Sequence, residues 1–77
     1  MLSAAVIVVA YQSGDALGRC LDSLAGHDVI VVDNGGGGPE VDAAAERARV
    51  VHSSNDGFGA GCNRGARETD ADVLVFL

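Results

Sequence analysis

The sequence predicts a three-layer α/β/α domain with a parallel sheet in the order 3-2-1-4. Three observations carry this. Residues 6–9 and 29–32 both read VIVV, runs apolar on both faces without alternation, as strands covered on both sides by helices require. Stripes at helical spacing separate the apolar runs. Finally, the pattern β-α-β-α-β-α-β demands crossover connections, which are right-handed and give a mostly parallel sheet. A chain that winds outward from its first strand and then reverses places strand four beside strand one. The crevice opens where the order reverses.

Taken in order, Ala4–Ala10 is the first strand, and residues 11–15 break it. Leu17, Cys20, Leu21 and Leu24 follow at i, i+3, i+4, i+7. Ser13 is the expected N-cap of this helix and Gly26 its stop. Val29–Asp33 is the second strand, and Gly35 to Gly38 force a turn after it. Pro39 and Glu40 suit the first turn of a second helix, because proline needs no donor there and a carboxylate complements the dipole. Its stripe is Val41, Ala44, Ala45 and Ala48. Arg49–His52 is a short third strand, residues 53–57 a loop, residues 58–68 a helix and residues 73–77 a fourth strand. The third helix is expected despite Gly59, Gly61 and Gly65, each of which opposes it by about 1 kcal/mol. Glycines so placed permit close approach to a strand or a ligand.

The chain has 77 residues, room for one small domain. Eleven acidic residues against five arginines, and no lysine, give a net charge of −6. That excludes a nucleic-acid or anionic-membrane surface, which needs a basic patch. Cys20 and Cys62 lack metal-ligand spacing and read as reduced core thiols. No run reaches the ~18 residues of a membrane span, and the cytoplasm is the expected compartment. The chain stops on the uncapped apolar run VLVFL, so it reads as a piece whose continuation would cover that strand.

Three loops are expected to meet at one sheet edge: residues 10–14, 33–38 and 54–63. Asp33, at the carboxyl end of a buried strand, can accept hydrogen bonds from a base or a ribose, or it can be a turn aspartate. Tyr11 can stack on a base or lie as a lid over the first helix. Asn55, Gly57, Phe58, Gly59, Gly61 and Asn63 lie at a loop-to-helix junction, where free N–H groups face an anion or a polar sugar. The other reading there is a tight helix-to-sheet contact. Arg64 and Arg67 are possible phosphate partners. His27 and His52 read as surface or strand-end residues without a role.

Two other functions compete. A dinucleotide-binding module of an oxidoreductase would carry G-x-G-x-x-G after the first strand, yet residues 11–15 hold one glycine. A signalling receiver would cluster acidic residues there, and a flavin module would place a phosphate loop there. Neither is present.

Three segments, residues 6–12 (VIVVAYQ), 29–35 (VIVVDNG) and 55–65 (NDGFGAGCNRG) leading into 71–77 (ADVLVFL), together resemble the amino-terminal half of a family-2 glycosyltransferase. The third resembles the rhamnosyltransferase-like branch. The resemblance implies the Rossmann-like, nucleotide-binding half of a GT-A fold. It also implies an inverting transfer of sugar from a nucleotide-diphosphate donor to a saccharide or lipid-linked acceptor. By it, Ala10, Tyr11, Asp33 and Asn34 contact the nucleotide, and Asn55, Gly57, Phe58 and Asn63 shape the base and ribose pocket. Gln12 stands where that family commonly has asparagine. A divalent cation (Mg or Mn) is implied for the full enzyme, with its acidic motif after Leu77 and its catalytic base later still.

Overall fold

The computed structural model describes residues 2–54 and 57–77. The elements run β1 (Ala4–Ala10), α1 (Asp15–Ser23), β2 (Val29–Asp33), α2 (Pro39–Ala45), β3 (Arg49–His52), α3 (Phe58–Ala66) and β4 (Val73–Phe76). The four strands form one sheet in the order β3-β2-β1-β4, and every pairing is parallel. Class and strand order therefore match the expectation. The three helices run nine, seven and nine residues.

Strand pairing explains the two-sided core. In the register Ile7↔Ile30 and Val9↔Val32, partners share a face, and neighbours along a strand alternate faces. Val6, Val8, Ala10, Val29 and Val31 pack with Leu17 and Leu21 of α1 and Val41 and Ala44 of α2. Ile7, Ile30 and Val32 form the core of the other face. That face is covered by α3, whose Gly61 and Gly65 lie against Val9, Ile7 and Val32. The arrangement follows from connection handedness. The first two crossovers travel one way along the sheet, and the third travels back, so its helix must lie on the opposite face.

Several local expectations change. Gly14, not Ser13, is the N-cap of α1, and no side chain caps it. Ser13 contributes its carbonyl instead, accepting from the Ala16 N–H at 3.1 Å. α1 ends at Ser23 with Leu24 as its C-cap, and Gly26 lies two positions beyond the cap in the following turn, at φ +87°. Ala45 is exposed because α2 ends there, so Val41 and Ala44 alone of that stripe are buried. α3 stops at Ala66, capped by Arg67, rather than at residue 68. Leu77 lies past the end of β4.

The entering ends of β1 and β4 are clamped by Ser3 and Asp72. The Ser3 N–H and hydroxyl both donate to Asp72 Oδ2, at 2.9 and 3.1 Å, and the Asp72 N–H donates to Ser3 Oγ at 3.1 Å. The Ser3 backbone bond, then its hydroxyl, hold the Asp72 carboxyl below the ordinary carboxylate value. A lowered folded value means the clamp is fully present above the unfolded pKa and is lost as pH falls through the folded one. The Val73 N–H, which donates to the Ser3 carbonyl, reports on it. Hydrogen exchange should show its protection falling in acid in the native chain. Asp72→Asn should lack that acid step.

Candidate functional site at the carboxyl edge of the sheet

The edge is built by the carboxyl ends of β1, β2 and β3. Ala10 pairs with Asp33, and Asp33 with His52, so these strands end in step. Past Ala10 the chain turns through Gln12, the one non-glycine residue at positive φ (+46°) among those described. Past Asp33 it turns through Gly36, Gly37 and Gly38, all at positive φ, which accounts for a glycine run that side-chain-bearing residues would strain. Gly35 packs against the first turn. A Cβ there would stand 3.0 Å from the Gln12 nitrogen and 3.4 Å from Tyr11 Cα.

Asp33 is 2% exposed. Its Oδ1 accepts from the Gly35 N–H at 2.9 Å, an Asx-turn. Its Oδ2 lies 3.0 Å from His52 Nδ1. An ionised carboxylate only accepts, so against it Nδ1 is the protonated nitrogen. The imidazole is otherwise open, with its side chain 73% exposed. This pairing was not read from the sequence. The available signal was that β2 and β3 both end on a polar residue, which parallel register sets side by side.

Asn34 is 4% exposed and ties the second loop to the third. Its N–H donates to the Ala10 carbonyl at 2.8 Å, and its Nδ2 donates to the Gly57 carbonyl at 3.2 Å. Its Oδ1 is buried and has no hydrogen-bond partner among the described residues. Gly57 is the N-cap of α3, at φ +97°. The first N–H groups of that helix, which have no partner within the helix itself, therefore lie beside Asn34, where a polar ligand atom could meet them.

The other expected residues are placed as follows. Ala10 is buried, its carbonyl occupied by Asn34. Tyr11 and Phe58 are exposed, the former beside Gly35. Asn55 lies outside the described residues. Asn63 is exposed on α3. It stands two residues, about 200°, around from the buried Gly61, and so faces away from the sheet. Arg64 is paired with Glu68, and this contact first of all lowers the Glu68 carboxyl below its ordinary value. Arg67 is exposed on that last turn. The glycines divide by task. Gly61 and Gly65 give close helix-to-sheet contact, while Gly59 faces open space.

A parallel four-stranded sheet with helices on both faces, its loops gathered at the carboxyl edge, defines a Rossmann-like α/β domain. No curated protein and no solved structure matches the chain. The family model described as glycosyl transferase family 2 matches residues 5–77, and the chain belongs to that family. No helix among the described residues is long and apolar enough to cross a membrane.

Proposed function

We propose that this chain is the donor-binding portion of an inverting glycosyltransferase of the rhamnosyltransferase-like branch. The full enzyme would move a sugar from a nucleotide-diphosphate donor to a hydroxyl of a saccharide or lipid-linked acceptor. One observation supports this above the others: Tyr11, Asp33, Asn34 and the start of α3 share one edge in a family-2 chain. In this reading Tyr11 stacks on the base. Asp33 accepts a hydrogen bond from the base or ribose. Asn34 Oδ1 accepts from a hydroxyl, and Gly57 and Phe58 shape the ribose wall.

The divalent cation belongs to the same reading, and when bound it would stabilise the charge of the diphosphate leaving group. Among the described residues no group of three His, Cys, Asp or Glu side chains could hold it. In this reading, as the family resemblance implies, its ligands lie after Leu77, and the part of these residues is confined to the nucleoside.

Calorimetric titration of the full-length protein tests the reading. Uridine or thymidine diphosphate should bind, and more tightly with Mg²⁺ present. Binding of nicotinamide or flavin nucleotides alone would overturn it. The 77-residue chain by itself should transfer no sugar.

A further inference from the structure

The proposed donor site contains a conflict. Asp33 is the acceptor best placed to recognise a nucleoside, yet its side chain is 2% exposed and both oxygens already have donors. Each oxygen keeps a further lone pair, but at 2% exposure a ligand reaches them only if one of the covering groups moves aside. The Gly35 N–H is part of the backbone turn and is packed against Tyr11 and Gln12. His52 is the opposite case. It ends a four-residue strand, its side chain is 73% exposed, and rotation about its own side-chain bonds frees it.

We propose that His52 is a resident partner of Asp33 that the nucleoside displaces, and that it sets both affinity and selectivity at this site. The inference rests on the donor-binding reading above. In the free protein the imidazole Nδ1–H satisfies Asp33 Oδ2. On binding, a donor group of the nucleoside takes that place and the imidazole swings into water, where its nitrogens are solvated. The exchange keeps the number of hydrogen bonds to the buried carboxylate constant, so a deeply buried charge is never left unpaired. It also imposes a rule on the ligand. Whatever replaces an N–H must itself donate, so a base edge presenting an N–H is accepted and one presenting a lone pair is refused. The closed pair reduces the competent fraction of the free protein, and apparent affinity falls by that fraction.

The test is uridine diphosphate binding to the full-length protein and its His52→Leu, His52→Asn and Asp33→Asn variants, with cytidine diphosphate as the mismatched probe. Leucine cannot occupy the carboxylate, so His52→Leu should bind uridine diphosphate roughly threefold to tenfold more tightly than native, the equivalent of one net hydrogen bond. Asparagine carries its N–H at the Nδ1 position and should restore native affinity. Uridine diphosphate should also shift the ¹⁵N resonance of His52 Nδ1, and cytidine diphosphate should not. If native protein binds uridine diphosphate and Asp33→Asn weakens it, but His52→Leu binds equally or less tightly and the imidazole resonance stays put, the exchange is overturned and the donor-site reading stands. If native protein and both His52 variants all fail to bind, the donor-site reading falls and takes the exchange with it.

Discussion

Replacing Gly65 with alanine should lower the melting temperature by roughly 10 °C, and valine there should leave the domain largely unfolded at 25 °C. Alanine in a helix interior is ordinarily favoured over glycine by about 1 kcal/mol, so the sign is set by what the new methyl meets. It meets Ile7 Cγ2 well inside contact distance, and Val32 Cγ2 at 3.0 Å. Ile7 and Val32 are fully buried, and β-branched side chains on a strand have little rotamer freedom to give. α3 must lift away from the sheet, and overpacking of this kind costs about 1–3 kcal/mol or more. A 77-residue domain has only about 4–12 kcal/mol in hand. Gly59→Ala is the control, because a Cβ there has open space. It should raise stability by up to about 1 kcal/mol. Urea midpoints of the three variants check the series. A neutral Gly65→Ala would mean that α3 does not sit as closely on Ile7 as described.

The glycines also show where the sequence could and could not be read. Two VIVV runs and the two helical stripes, one between them and one after, suffice for the class of fold, because a strand apolar on both faces has few places to go. The handedness of crossovers then yields strand order without any contact being known. The glycine-rich segment resisted, since ligand approach and helix packing make the same demand for a missing side chain. Coordinates separate them: Gly61 and Gly65 stand four apart, one helical turn, on the buried face, whereas Asn63 between them faces outward. The capping of α1 was misread because Ser13 is a good cap by type, while the chain turns one residue later. His52 was missed for a different reason. Its partner lies 19 residues away and is chosen by register, which is set by the whole β2–β3 pairing rather than by any local pattern. The Arg64–Glu68 pair carries a local signal, the i,i+4 spacing, that the reading of Arg64 as a phosphate partner passed over, and it removes one arginine from the groups free to meet phosphate.

Asp33→Asn should weaken uridine or thymidine diphosphate binding by about a hundredfold while leaving the fold in place. Asparagine is the informative substitution because of what Asp33 does inside the protein. The amide oxygen can still accept from the Gly35 N–H, which keeps the Asx-turn. The amide nitrogen then faces His52, whose Nδ1 accepts in the other neutral tautomer. The internal contacts survive with their donor and acceptor roles exchanged. Toward a ligand the exchange is not tolerated, since an N–H donor of the base would meet another N–H where it needs a lone pair. Both the lost charged hydrogen bond and the newly unpaired donors oppose binding. Alanine is less useful, because it orphans the Gly35 N–H and empties a fully buried position, with a cost of about 1–3 kcal/mol to the fold itself. Calorimetry of the full-length protein reads the affinity, and the urea midpoint of the same sample reads the fold. Unchanged affinity in Asp33→Asn would reduce Asp33 to the residue that closes the turn after β2. The nucleoside contacts would then pass to Tyr11, Asn34 and the start of α3.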